Sequence, residues 1–150
     1  MVGIYSRNVQ MNYNNPTPVA VALVLVQTSD TKHGLLAIRR ANHPHIGGAA
    51  FPGGYVEEGE SAEEAAAREL MEETGIQFNA NEFRPVRTAT NGKNNMLIFC
   101  MAHHLITKEL FEQIKAGFVA NSEVSEIMVV NKGDKLCFPL HKDLLDSNLW

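Results

Sequence analysis

The sequence predicts an α/β fold, specifically an α/β/α sandwich with a mixed β-sheet. Three observations favour this class: a continuous apolar run at residues 19–26, a strongly marked amphipathic helix at residues 62–74, and further strand patterns interleaved with shorter helical ones. The chain has 150 residues, 45% of them hydrophobic and 20% charged, which is typical of one globular domain. We therefore expect residues 1–150 to form a single domain.

The first two predicted elements are strands. Residues 19–26 are apolar throughout and rich in valine, which predicts a central strand that is buried on both faces. Residues 34–40 alternate, so that Leu36, Ile38 and Arg40 should share one face. Residues 1–17 contain several asparagines and one proline, Pro16, and are expected to form a loose arm or a dimer edge.

The helix predicted at residues 62–74 has clear signals at both ends. Ser61 precedes it and Glu64 follows three residues later, the arrangement in which two side chains reciprocally cap the free backbone N–H groups. Gly75 can adopt the left-handed conformation that ends a helix. Ala66 and Leu70 lie four residues apart and should face the core.

The second half of the chain predicts a hairpin, a helix, a strand and a terminal helix. Strands at residues 83–89 and 95–105 should be joined around Asn91-Gly92, a strong hairpin signal. Further elements are expected at residues 107–116 (helix), 124–131 (strand) and 139–147 (helix). Interleaving of these strands and helices is the basis for the predicted sandwich.

Composition excludes several classes of protein. The longest apolar run has eight residues, far fewer than the roughly 20 that a membrane-spanning helix needs. The first eighteen residues lack the basic and apolar stretches of a secretory signal, so we expect a cytoplasmic protein with no membrane partner. Cys100 and Cys137 are the two cysteines, and their spacing indicates neither a disulfide framework nor a structural zinc site.

Acidic residues are concentrated in one segment. The net charge is −4, but residues 57–73 hold eight of the seventeen acidic residues against one basic residue, Arg68. Glu69, Glu72 and Glu73 stand at helical spacing i, i+3 and i+4, where each like-charge pair costs ~0.2–0.5 kcal/mol. A solvated acidic helix would interleave lysines, and this one has none, so the pattern favours a divalent cation such as Mg²⁺.

The same segment resembles a known motif. Gly54 is followed after five residues by Glu60, and after seven more by Arg68-Glu69 and then Leu70-Met71-Glu72-Glu73-Thr74-Gly75-Ile76. Every fixed position of the 23-residue Nudix box is matched, and Phe51-Pro52-Gly53 upstream also looks like the family. The chain is therefore similar to the Nudix hydrolase superfamily, on a motif that covers about a sixth of its length.

The resemblance implies a metal-dependent pyrophosphohydrolase. It would cleave the phosphoric anhydride bond of a nucleoside diphosphate linked to another moiety, such as ADP-ribose or an NADH-like dinucleotide, with Mg²⁺ or Mn²⁺. Glu69, Glu72 and Glu73 match the family's metal ligands, with Glu73 or Glu72 helping to deprotonate water. Glu60 and Arg68 match the pair that holds the loop and the helix together.

Residues outside the helix complete the expected site. Arg40 matches a position that binds substrate phosphate, and Gly53 and Gly54 allow the backbone to approach the ligand. Glu123 and Glu126 are the candidates for a further metal ligand or base from a later loop. Ala50 departs from the family, in which Trp or Glu is common there.

Two other functions remain open on the sequence: hydrolysis of modified nucleoside triphosphates, and a non-catalytic module that senses a nucleotide. A Ca²⁺-binding surface is disfavoured because the glutamates are not spaced as an EF-hand loop. The expected partner is a small-molecule nucleotide, with no nucleic acid indicated and a homodimer possible in principle. For His43 and His45 we expect a solvated loop, and for Phe138 a packing role.

Overall fold

The computed structural model describes residues 14–150, and within them eight strands and three α-helices form two sheets and two helical layers. The strands are β1 (Thr17–Leu23), β2 (Leu25–Gln27), β3 (His33–Arg40), β4 (Ala49–Ala50), β5 (Gly53–Tyr55), β6 (Phe83–Thr90), β7 (Asn95–Ala102) and β8 (Val124–Val130). The helices are α1 (Ala62–Thr74), α2 (Lys108–Gly117) and α3 (Pro139–Leu145), and a 3₁₀ turn covers Ala80–Glu82.

The first sheet is mixed, as predicted. Its strand order is β5-β1-β7-β6, in which β1 and β7 run parallel and the other pairs run antiparallel. The second sheet is centred on β3 and is antiparallel throughout. In that sheet β8 pairs along one edge of β3. Strands β2 and β4 both pair with the other edge of β3, β2 at its start and β4 at its end. Leu35, for example, pairs with Leu25 of β2 on one side and with Val130 of β8 on the other.

The apolar run at residues 19–26 is two strands, so its prediction as one central strand is wrong. The chain leaves the first sheet after Leu23 and enters the second at Leu25, and between them the Val24 carbonyl accepts a hydrogen bond from Leu36 N–H. Burial on both faces is confirmed, because Ala22 and Leu23 belong to different core clusters and are both fully buried. The sequence does not indicate this passage from one sheet to the other, because the residues around Val24 are all apolar.

The two core clusters lie on opposite faces of the sheets and define the sandwich. One cluster joins Ala66 and Leu70 of α1 and Phe111 of α2 to the sheets. The other joins Leu144 and Leu145 of α3 to the opposite face. The predicted α/β/α sandwich is therefore confirmed.

Helix α1 has the predicted ends. Ser61 Oγ accepts a hydrogen bond from Glu64 N–H at 3.1 Å, and Glu64 Oε1 accepts one from Ser61 N–H at 3.0 Å. Gly75 has φ 76° and donates its N–H to Met71 O. Because both ends are satisfied locally, the register of the glutamates on this helix is fixed by its own sequence.

Other element boundaries shift by a few residues. Strand β7 ends at Ala102, three residues before the predicted end, and α3 ends at Leu145. Strand β6 carries Pro85, which has no N–H to donate, and it lies at the sheet edge with a register shift between Pro85 and Arg87. Of the predicted loose arm, residues 1–13 lie outside the described residues, and Thr17 belongs to β1.

No α-helix among residues 14–150 is both long and apolar enough to cross a membrane.

Candidate active site

Strand β5 brings the two glycines of the motif against α1. A Cβ atom placed on Gly54 would collide with the Glu69 carboxylate, and one on Gly53 would lie 2.5 Å from the Ala20 carbonyl oxygen. Gly53 faces backbone atoms, so glycine is required there for steric reasons, whereas at Gly54 the missing Cβ atom lets the Glu69 carboxylate keep its position. This close approach lets a carboxylate of α1 reach the edge of the first sheet.

Three carboxylates meet beside this strand. One oxygen each from Glu69, Glu73 and Glu123 lies within 4.8 Å of the other two. Glu69 and Glu73 come from one face of α1, and Glu123 comes from the loop before β8. That loop is shaped by Asn121, whose Oδ1 accepts hydrogen bonds from the N–H groups of Glu123 and Val124 at 2.9 Å each.

Glu73 is the most constrained of the three. It is 4% exposed, and its Oε1 accepts a hydrogen bond from Gly53 N–H at 3.0 Å. Burial raises the pKa of Glu73 to about 8, and the nearby Glu69 and Glu123 add to the rise. Burial likewise raises the pKa of Glu69, partly opposed by its hydrogen bond from Arg68. A buried carboxylate among other carboxylates needs a positive partner or a proton.

Arg68 does not provide that partner for Glu73, because it is occupied elsewhere. Its guanidinium donates to both oxygens of Glu60 at 2.6 and 3.0 Å, to Glu69 Oε1 at 2.8 Å and to the Tyr55 carbonyl oxygen at 3.0 Å. The hydrogen bond from Arg68 lowers the pKa of Glu60. Arg68 and Glu60 thus form a bidentate pair that ties the loop after β5 to α1, which is the contact that the resemblance implies.

Two predicted ligands lie outside the carboxylate group. The Glu72 side chain is 55% exposed and contacts Arg68 at 3.3 Å, so i+3 spacing alone does not bring it to Glu69 and Glu73. Glu126 pairs with Arg39 at 2.9 Å, and this hydrogen bond lowers the pKa of Glu126. Of these two candidates, Glu123 lies in the loop and belongs to the carboxylate group, whereas Glu126 lies in β8 rather than in a loop and pairs with Arg39 instead.

The three grouped carboxylates suit a hard divalent cation. Mg²⁺ and Mn²⁺ prefer carboxylate oxygens and retain open positions for water and phosphate. Glu123 is exposed and Glu73 buried, so the group has one protein-facing side and one open side. Glu69, Glu73 and Glu123 could each supply one oxygen to such an ion.

A cleft of about 450 Å³ opens beside Glu73. Gly53, Gly54 and Arg40 line it, so the structure brings the three predicted substrate-binding residues to one cavity. Arg40 is held by the Pro44 carbonyl oxygen at 2.7 Å, and its guanidinium carbon lies 5.2 Å from the centre of the Phe138 ring. The cleft therefore combines the Glu73 carboxylate with a cation on an aromatic face.

Several other residues that line the cleft were not predicted to belong to the site. His43 and Phe138 line it, although a solvated loop and a packing role were expected for them. His141, Tyr55 and Asn95 also line it. His141 sits three residues before Leu144 on α3, a spacing that could have indicated burial but not an active-site cleft.

Comparison with known proteins agrees with this geometry. The family model of the NUDIX domain matches residues 16–135. The chain is 31% identical over 131 residues to a protein of Methanocaldococcus jannaschii named ADP-ribose pyrophosphatase, covering 87% of this chain and 74% of that protein.

Solved structures share the fold. A MutT/nudix family protein from Enterococcus faecalis superposes on this chain with a TM-score of 0.66 at 21% sequence identity. The superposition covers 82% of this chain and 46% of the Enterococcus faecalis protein. The NUDIX domain of Shewanella oneidensis NrtR, crystallised with ADP ribose, gives a TM-score of 0.60 at 19% identity, over 84% of this chain and 77% of that one. The family model, the relative and the fold agree: the chain belongs to the NUDIX domain family.

Proposed function

We propose that this Nudix hydrolase cleaves the diphosphate bond of ADP-ribose or of a closely related nucleoside diphosphate derivative, with Mg²⁺ or Mn²⁺. The observation that carries the proposal is the group of Glu69, Glu73 and Glu123, of which Glu73 lines a cleft that Arg40 also lines. The substrate class is supported by the pyrophosphatase of Methanocaldococcus jannaschii and by the NUDIX domain that binds ADP ribose.

The chemistry follows from charge. Water attacks a diphosphate slowly because anionic oxygens shield each phosphorus atom. When bound, a divalent cation neutralises part of that charge and makes water more acidic. Glu69, Glu73 and Glu123 would hold the cation, and their fixed positions would orient the diphosphate toward it. Glu72 remains a proposed ligand or base, because it is one residue from Glu73 and solvent exposed.

Arg40 and the glycines bind and orient the substrate in this proposal. Arg40 keeps a guanidinium in the cleft because the loop after β3 holds it through the carbonyl oxygens of Pro44 and His43. Gly53 and Gly54 leave backbone surface open beside the carboxylates. A phosphate bound between Arg40 and the cation would be contacted by positive charge on two sides.

A substrate panel tests the proposal. Purified protein is incubated with ADP-ribose, NADH and a modified nucleoside triphosphate, each with Mg²⁺, Mn²⁺ or EDTA. We expect AMP and ribose 5-phosphate from ADP-ribose, with no products in EDTA. Release of pyrophosphate from the triphosphate alone would replace this proposal with the triphosphate hydrolase. Tight nucleotide binding without any product would favour the sensing module.

Three further predictions belong with this proposal. We propose that residues 1–150 act as one domain, on the ground that both core clusters draw on strands from both halves of the chain. The homodimer and the cytoplasmic location stay predictions from the sequence. Light scattering coupled to size-exclusion chromatography tests whether the protein forms a homodimer.

A further inference from the structure

His141 is a buried histidine in the wall of the cleft. It is 6% exposed, and it lies at the start of α3. Its ring stacks on Phe51 with centroids 5.3 Å apart, and the Phe99 and Phe138 rings approach it at 6.0 and 5.1 Å. Apolar neighbours on three sides leave the cleft as the polar direction open to this ring.

The hydrogen bond to Phe51 fixes the tautomer. Phe51 N–H donates to Nδ1 of His141 at 3.1 Å, so Nδ1 carries no proton. Burial lowers the pKa of His141 to about 3, and Arg40 adds to this effect, so the ring is neutral near pH 7. A neutral imidazole has one proton, which must then sit on Nε2.

Nε2 is a donor without an acceptor among the residues that the structure describes. Among the described residues 14–150, Nδ1 makes a hydrogen bond and Nε2 makes none. The three aromatic rings around His141 offer Nε2 no hydrogen-bond acceptor. The open space that His141 lines is the cleft beside Glu73. A buried ring thus presents a single N–H to the substrate cavity.

The neighbours of this donor select its acceptor. Arg40 lies over Phe138, and Phe138 in turn touches the edge of His141, so a cation and a neutral N–H donor share one wall. Donors that line the same cavity suit an anionic oxygen as their acceptor. We propose that His141 is a substrate-binding residue whose Nε2–H donates a hydrogen bond to a phosphate oxygen of the substrate. This assignment rests on the proposed function, because it deepens the same cleft.

Two substitutions of His141 distinguish a role in substrate binding from a purely structural role. In His141→Asn, the amide oxygen can still accept from Phe51 N–H, but the donor at the Nε2 position is lost. In His141→Gln, the longer side chain can place an N–H near that position, but the contact with Phe51 is lost. We expect KM for ADP-ribose to rise about tenfold or more in His141→Asn and to stay within about threefold of wild type in His141→Gln. A purely structural role predicts the reverse order, and that result would overturn the proposal.

Nuclear magnetic resonance provides a test that needs neither variant nor turnover. Long-range proton–nitrogen spectra of the ¹⁵N-labelled protein with Mg²⁺ should show His141 protonated at Nε2, and its Nε2 signal should shift when ADP is added. Adenosine, which has no phosphate, should leave that signal in place.

The outcomes of the two experiments are distinguishable. A shift with ADP but not with adenosine supports the assignment even if no compound of the substrate panel is hydrolysed. Protonation at Nδ1, or an equal shift with adenosine, contradicts it even if ADP-ribose is hydrolysed.

Discussion

Two buried side chains hold the same loop from opposite layers of the sandwich. Glu73 of α1 accepts a hydrogen bond from Gly53 N–H at 3.0 Å, and His141 of α3 accepts one from Phe51 N–H at 3.1 Å. Both residues are at least 94% buried, and both line the cleft. They differ in what surrounds them: carboxylates of Glu69 and Glu123 around Glu73, and aromatic rings around His141.

This difference separates two kinds of buried polar group. His141 avoids the cost of burial by staying neutral, so its pKa falls and its environment needs no counter-charge. Burial raises the pKa of Glu73, and its like-charged neighbours Glu69 and Glu123 add to the rise. A histidine that rests among aromatic rings is stable by itself, whereas a glutamate among glutamates is stable only when a cation or a proton is added. The second pattern therefore indicates a functional site more strongly than burial alone.

The largest expected effect is on turnover by Glu73→Gln. Glutamine keeps an oxygen for Gly53 N–H and removes one charge from the carboxylate group, so the fold should persist while the cation is held less firmly. We expect kcat with saturating Mg²⁺ and ADP-ribose to fall about a thousandfold or more. Glu58→Gln, an exposed glutamate of the same acidic segment, is the matched control and should retain wild-type kcat. Comparable rates in the two variants would refute the role given to Glu73.

The next effect concerns the pH dependence of folding. The folded state holds His141 neutral with a pKa of about 3, whereas the unfolded state protonates near pH 6.5. Its contribution to stability is therefore present above pH 6.5 and is lost as the pH falls toward 3. Between pH 6.5 and 4.5, wild type should lose about 2 kcal/mol more in the free energy of urea unfolding than His141→Asn, which cannot titrate. Equal losses of unfolding free energy in the two proteins would show that protonation of His141 does not destabilise the folded state.

A smaller effect is expected at Glu60, which lies in the same acidic segment as Glu73 but is paired. Glu60→Gln weakens the bidentate contact with Arg68 and should lower the free energy of unfolding by about 1–2 kcal/mol. Its kcat should fall far less than that of Glu73→Gln. Urea denaturation and steady-state kinetics on both variants measure this contrast. If Glu60→Gln lost as much turnover as Glu73→Gln, the division between paired and grouped glutamates would not hold.

The smallest effect is expected at the start of α1. Ser61→Ala removes the cap that accepts Glu64 N–H and should cost about 1 kcal/mol of stability. Because the glutamates at the far end of the helix are held by other contacts, Mn²⁺ affinity should stay within about twofold of wild type. Thermal denaturation measures the expected loss of stability, and Mn²⁺ titration measures the affinity. A large loss of affinity would mean that the carboxylate group depends on overall helix stability.

The sequence predicts the elements of this fold better than their connections. Capping residues and glycines are local signals, so α1 begins and ends where Ser61 and Gly75 place it. The crossing of the apolar run between two sheets at Val24 depends on long-range pairing and leaves no local mark. The same limit applies to α3, whose contribution to the cleft depends on packing against Phe51 and Phe99.

The candidate site shows the same division. Spacing on α1 places Glu69 and Glu73 on one face, but it also places Glu72 there, and only the three-dimensional arrangement separates them. The choice between Glu123 and Glu126 depends on which of them Arg39 pairs with, and this is set by the register of β3 and β8. His141 is identified by its single hydrogen bond and by the cleft, neither of which the sequence contains.

Crystallography with Mn²⁺ tests the central claim most directly, because the anomalous signal of this ion identifies its position. Crystals of the full chain soaked in Mn²⁺ should show an anomalous peak between the carboxylates of Glu69, Glu73 and Glu123, and crystals of Glu73→Gln should show a weaker peak or none. A map with these three side chains turned to solvent and no ion between them would contradict the account.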